Sequence, residues 1–225
     1  MRTPCGPILG SGGIKFRNQC FSRVFLGLSF KRKRQTVLAL VGLPGSGKST
    51  VGRQLARRLN LNFIDSDHAI EERLGCSIRE FFEVEGEDRF RDIESQVIEN
   101  LLKGDYGVIS TGGGTVVRSI NRETLHRKAK VFYLRATPEE VFRRLKHDQN
   151  RPLLQVADPL ARLREIFRIR DPLYRETAHH VVETGRPKIS NMVHNIIAQL
   201  EQDHYAGLDN SPLALKAAHT LGRDA

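Results

Sequence analysis

Short apolar runs alternate with segments of helical spacing along most of the chain. Thr36–Val41 is a β-rich apolar run, Lys48–Asn60 places Val51, Leu55 and Leu59 at helical intervals, and Leu61–Ile64 is apolar again. That order predicts a β-α-β unit. Helical patterns follow at about Ser77–Leu102, Pro138–His147, Pro159–Tyr174 and Ile189–Glu201, with strand patterns at Gly107–Ser110, Val131–Leu134 and His180–Glu183. Strands alternating with helices predict a parallel sheet covered on both faces. The pattern occupies residues 36–202 as one domain, and no internal repeat interrupts it.

The ends read differently. Residues 1–35 are rich in Gly and basic residues without a sustained period, so they are expected to be a disordered basic extension, and residues 203–225 a loose tail. Of the 36 Lys and Arg, eight stand in residues 1–34 beside no acid, which leaves 28 against 26 acidic residues in the rest. The net charge of +10 therefore belongs to the arm, and the near-neutral body argues against nucleic acid as a partner. The apolar runs Val24–Leu28 and Val37–Leu43 are far shorter than the ~18 residues of a membrane helix, so no membrane partner is expected. Three cysteines, with no CxxC pair, suit a reducing compartment. Val24–Leu28 runs into Lys31-Arg32-Lys33-Arg34 rather than a cleavage site, so a bacterial cytoplasmic monomer is expected. An organelle-targeted protein is the alternative, should residues 1–34 be a transit peptide.

The chemistry begins after the first strand. Gly42-Leu43-Pro44-Gly45-Ser46-Gly47-Lys48-Ser49 matches G-x-x-x-x-G-K-[ST] between a strand and a helix. Glycines let the backbone curl so that N–H groups face phosphate oxygens, and the following helix adds its positive end. Gly45, Ser46, Gly47, Lys48, Ser49 and Thr50 are the expected ATP-binding stretch, with Lys48 at the β/γ-phosphates and Ser49 on Mg²⁺. After the second strand, Asp65 and Asp67 stand two apart at the carboxyl edge of the sheet, where such folds bind ligands. Paired acids there suggest a metal and a hydroxyl, although Asp67 alone would also serve as a helix cap. Arg91 and Glu94 share a helix face, which by itself is an ordinary surface pair. Gly112-Gly113-Gly114 follows an apolar strand, and three glycines are costly in backbone entropy, so close approach of a ligand to the backbone is expected there. Arg151-Pro152-Leu153-Leu154 and Arg170-Asp171-Pro172-Leu173-Tyr174 come later.

Taken together these motifs resemble shikimate kinase, over about residues 36–202. The resemblance implies a P-loop kinase, a three-layer α/β/α fold with a parallel five-stranded sheet and a mobile lid at about 147–157. It implies transfer of the γ-phosphoryl of ATP to the 3-hydroxyl of shikimate, giving shikimate 3-phosphate, with Mg²⁺ as cofactor. Lys48, Asp67 and Arg151 are then catalytic. Asp67, Arg91, Gly113, Gly114 and Arg170 hold shikimate, Glu94 orients Arg91, and Ser49 and Asp65 attend the metal, Asp65 through water. By position in the family, Arg144 and Arg186 enclose adenine, although both also fit solvated surface charges. Gluconate kinase shares the loop and the acids before His68 but not the later motifs. Adenylate kinase builds its acceptor site for a second nucleotide. A ligand-sensing transcriptional regulator would need a folded DNA-binding module that residues 1–35 cannot supply.

Overall fold

The computed structural model describes residues 37–104, 107–146, 156–185 and 188–209. The expected N-terminal extension, Arg151, most of the expected lid, Arg186 and the tail beyond 209 lie outside the described residues.

Five strands, β1 (Val37–Val41), β2 (Phe63–Asp65), β3 (Val108–Ser110), β4 (Ala129–Arg135) and β5 (His180–Glu183), form a sheet in the order β2-β3-β1-β4-β5. All four pairings are parallel. β1 is central and buried along its whole length, as its unbroken apolar run requires. Its side chains divide with a period of two. Val37, Ala39 and Val41 join one core with Val131 and Tyr133 of β4, while Leu38 and Leu40 join a second with Phe132 and Leu134. Helices α3 (Ile78–Leu101), α4 (Ser119–Lys128), α5 (Pro138–Leu145) and α6 (Pro159–Thr177) cover the first core, and α1 (Lys48–Leu59) and α7 (Ile189–Asp209) the second. The result is the three-layer α/β/α arrangement of a P-loop kinase. A third apolar cluster, built on Ile70, Phe81, Phe90, Ile93 and Val97, joins α2 (Ser66–Leu74) to α3 beside the sheet edge.

Local chemistry sets the helix starts. Ser77 with Glu80 and Thr137 with Glu140 make capping boxes for α3 and α5, and Asp158 caps α6 ahead of Pro159. Five expectations need correction. The helix after β2 starts at Ser66, so Asp67, offered as its cap, lies inside it. α4 stands where no element was expected, because its decapeptide SINRETLHRK holds only Ile120 and Leu125 as apolar residues, and Ile120 is exposed. α6 continues through Pro172 to Thr177, and α7 extends to Asp209, past the boundary expected at 202. Finally, α3 is broken at Gly86, whose φ of 79° and ψ of 176° leave the helical region and divide it into two segments.

α1 lies close against the sheet. A Cβ on Gly52 would fall 2.6 Å from Cε2 of Phe63 and 3.2 Å from Cδ1 of Leu40. Gly52→Val should therefore overpack this interface at a cost of about 1–3 kcal/mol. Thermal unfolding followed by circular dichroism should show a Tm lower by roughly 3–10 °C; an unchanged Tm would mean that α1 can retreat without loss.

Candidate active site

The loop leaving β1 is shaped by Gly45 and Gly47, the latter in the left-handed region (φ 99°) as the N-cap of α1. Lys48 opens that helix and is buried, and its Nζ donates to the carbonyls of Gly42 and Leu43 at 2.8 Å each. The hydroxyl of Ser46 is buried with no hydrogen-bond partner among the described residues, an arrangement that suits a polar ligand in the loop. A cleft of about 870 Å³ runs from this loop. Asp65, Asp67, Ser110 and Gly113 line it on one side, and Arg144, Thr184, Lys188 and Met192 on the other.

The acidic corner is more divided in role than the sequence suggested. Asp65 is the residue that caps α2, its Oδ1 accepting the backbone N–H of Asp67 at 3.2 Å. Its Oδ2 accepts from the hydroxyl of Ser49 at 2.7 Å, and the Ser110 hydroxyl lies 3.3 Å from Ser49 Oγ. The parallel register places Ser110 beside Asp65 and brings these oxygens together. An all-oxygen set beside a phosphate loop suits a hard divalent cation that keeps most of its ligands from water and phosphate. Asp67 is thus not the helix cap, and its carboxylate is left for other work. Its residue surface opens to the cleft, but the carboxyl turns inward: a Cβ on Gly112 would collide with Oδ1. Its pKa is pushed up to about 6, first by burial and then by the Asp65 charge, with Lys48 pulling the other way and Glu94 and Glu71 adding to the rise.

The three glycines explain the acceptor side. Gly112 faces Asp67 and Glu94, Gly113 abuts Pro44 of the phosphate loop, and Gly114 lies against the Arg91 guanidinium so closely that no Cβ fits. The close approach that was expected of a ligand is made instead by the chain's own groups. Glu94 is 1% exposed and accepts from Arg91 Nη1 and from the Thr115 hydroxyl, both at 2.8 Å. Arg91 also donates through Nε and Nη2 to Glu87. Burial works against the Arg91 charge, yet Glu94 and Glu87 outweigh it and hold the guanidinium above its ordinary range. From α6, Arg170 Nη1 and the Tyr174 hydroxyl both donate to the Gly113 carbonyl, at 3.1 and 2.6 Å. Tyr174 stacks on Tyr133, whose hydroxyl donates to Asp171 at 2.8 Å.

The structure thus gathers Lys48, Ser49, Asp65, Asp67, Gly113 and Arg144 around one cleft, with Arg91, Glu94, Gly114 and Arg170 joined to it through the glycine turn. Arg144 is no free surface charge: its guanidinium donates to the carbonyls of Ser46 and Thr184. Sequence reasoning missed Ser110, Thr115, Glu87 and a role for Tyr174. Thr115 directly follows the glycine triplet and Ser110 stands two residues before it, so both were legible from that position, whereas Glu87 carried no signal beyond its i, i+4 spacing from Arg91.

A parallel sheet feeding a glycine loop into a helix N-terminus, with an oxygen-lined corner and a cationic acceptor wall, defines a P-loop phosphotransferase of small molecules. Residues 44–201 match the family model for shikimate kinase. A shikimate kinase of Paracidovorax citrulli is 57% identical over 173 residues, covering 76% of this chain and 94% of that protein. One from Burkholderia thailandensis is 50% identical, covering 77% and 92%. The solved structure of shikimate kinase from Acinetobacter baumannii in complex with shikimate superposes with a TM-score of 0.71 at 41% identity, covering 75% of this chain and 94% of that one. The chain belongs to the shikimate kinase family and is an ATP-using small-molecule kinase.

The raised Asp67 pKa has a stability consequence in the ligand-free protein. A carboxyl whose folded pKa lies above its unfolded value binds its proton more tightly when folded, so its contribution is present below pH 4 and is lost as pH rises through 6. Asp67→Asn should then raise Tm at pH 8, by roughly 1–3 °C once screening by the open cleft is allowed for. The gain should vanish near pH 4. A Tm difference independent of pH, measured by scanning calorimetry, would show that ionisation is not its source.

Proposed function

We propose that ATP lies on the 42–49 loop and shikimate against the glycine turn, and that the γ-phosphoryl passes to the 3-hydroxyl to give shikimate 3-phosphate and ADP. The observation that carries this reading is the convergence of two guanidiniums, Arg91 and Arg170, on Gly113 and Gly114, beside the one carboxylate of the acidic corner that does not cap a helix. A planar guanidinium grips a carboxylate through two parallel N–H groups, and shikimate carries one carboxylate. The shikimate complex of the A. baumannii relative supports the same choice of acceptor.

In this reading the chain acts by positioning and charge. Lys48 turns from the loop carbonyls to the β/γ-phosphates and neutralises them. Asp67 accepts a hydrogen bond from the attacking hydroxyl and aligns it with phosphorus; because such transition states are loose, orientation matters more than basicity. Ser49 directly, and Asp65 through water, would hold Mg²⁺, which supplies charge neutralisation on the phosphates. Arg144, with Arg186, borders adenine, and Arg151 is assigned to the transferring group from its place in the Arg-Pro-Leu-Leu motif. Bacterial relatives support a bacterial cytoplasmic setting.

A coupled ADP-release assay with shikimate and gluconate side by side should give turnover with shikimate alone; equal turnover with gluconate would reject the acceptor assignment. Lys48→Ala should lose most of that turnover, and near wild-type kcat in the variant would reject the loop assignment. Asp67→Asn should lower kcat by about 10²-fold or more while Mg-ATP binding, followed by titration, is kept. Loss of Mg-ATP binding in that variant would instead exchange the roles of Asp65 and Asp67.

A further inference from the structure

The Arg91 guanidinium lies over the Phe90 ring and meets Glu94, Gly114 and Glu87, and only one of these contacts is exchangeable. Nη1 donates to the buried Glu94. Gly114 packs against Cζ, Nη1 and Nη2 so tightly that even a methyl group has no room. What remains is the Nε–Nη2 edge, the pair of parallel N–H groups suited to bidentate carboxylate recognition. Both of its donors point at one oxygen, Oε1 of Glu87, at 3.2 and 2.9 Å. The chain's own carboxylate therefore holds the edge by which Arg91 would grip a substrate carboxylate.

The two acids on Arg91 are unequal. The Glu94 side chain is 2% exposed and is fixed by a second donor, Thr115, whereas the Glu87 side chain is 63% exposed. Glu87 is also the first residue after the break at Gly86, in the second segment of α3, and Gly86 itself faces open space. Water competes for the exposed Glu87 end of this pair, although not for the Arg91 end, whose side chain is 10% exposed, so Glu87 is displaceable where Glu94 is not. A second anion cannot share the edge with Glu87, since two carboxylates would then face each other across one guanidinium.

We propose that Glu87 is an internal competitor for the acceptor's carboxylate. It occupies the Nε–Nη2 edge of Arg91 until shikimate displaces it, and so lowers the apparent affinity of the acceptor site for every carboxylate, shikimate included. This rests on the reading of Arg91 as the carboxylate grip. When the competent form is only a fraction of the population, apparent affinity falls by that fraction. Removing the competitor restores it.

The test is steady-state kinetics on the full chain at saturating Mg-ATP, comparing wild type, Glu87→Gln and Arg91→Ala, with sodium benzoate as a simple carboxylate inhibitor. Glu87→Gln should lower the KM for shikimate by about two- to fivefold, the range of an exposed ion pair. The inhibition constant of benzoate should fall in parallel, and the change should lie in KM rather than kcat. If Glu87 merely steadied Arg91, the same substitution would raise KM, and that result, or no change, overturns the proposal. The Arg91→Ala control separates the two levels. A raised KM there with no gain in Glu87→Gln condemns the competitor alone, while an unchanged KM in Arg91→Ala overturns the carboxylate grip as well.

Discussion

Glu94 is the group on which the acceptor side turns. A carboxylate almost wholly withdrawn from water is tolerated only where cations and donors replace its hydration, and here Arg91 and Thr115 do so. Each partner then imposes a condition further out. Any side chain at 114 would have to push the Arg91 guanidinium aside and disturb its bond to Glu94. Thr115 is itself fully buried, and its carbonyl accepts from the side-chain amide of Asn121, which draws the start of α4 into place. One ion pair thus joins α3, the glycine turn and α4, and removing either charge would strand the other in a poorly hydrated interior.

The second half of the acceptor wall is held from α6. Tyr174 is buried, its phenol pushed up by that burial, and it reaches Gly113 while stacking on Tyr133 of the sheet. The Tyr133 hydroxyl, Arg135 and Arg175 converge on Asp171, whose carboxyl stays below its usual range, the gain from these donors outweighing its partial desolvation. Asp171 directly follows Arg170 in the chain. The arginine that donates to Gly113 therefore springs from a turn of α6 anchored to β4 by both a ring stack and a charge cluster.

Legibility in the sequence followed the strength of local signals. The phosphate loop and the sheet were readable because a fixed glycine spacing and clean apolar runs leave few alternatives. α4 was not, since its packing rests on Leu125 with Asn121 and Thr124 beside it, a stripe too polar to show a period. The helix cap fell to Asp65 instead of Asp67, a choice of two residues that depends on where the strand ends and that spacing cannot make. The glycine triplet pointed to close approach, but the ligand expected there is replaced by Asp67, Glu94, Pro44 and Arg91, which only the fold brings to it. Arg91 and Glu94 looked like a surface pair on spacing alone, because burial is a property of the fold and not of three intervening residues.

Gly45 ties the phosphate loop to a distant part of the chain. The space its side chain would fill is taken by Leu145, the last residue of α5, whose methyl group would stand 2.6 Å from a Cβ there. Arg144, one residue earlier, grips the loop carbonyl of Ser46. The end of α5 and the phosphate loop thus behave as a single mechanical joint, and α5 is the helix that leads directly into the Arg151 segment. Tolerance for substitution in the loop is set partly by a leucine a hundred residues downstream, so a chain that altered one of the two would come under pressure to alter the other.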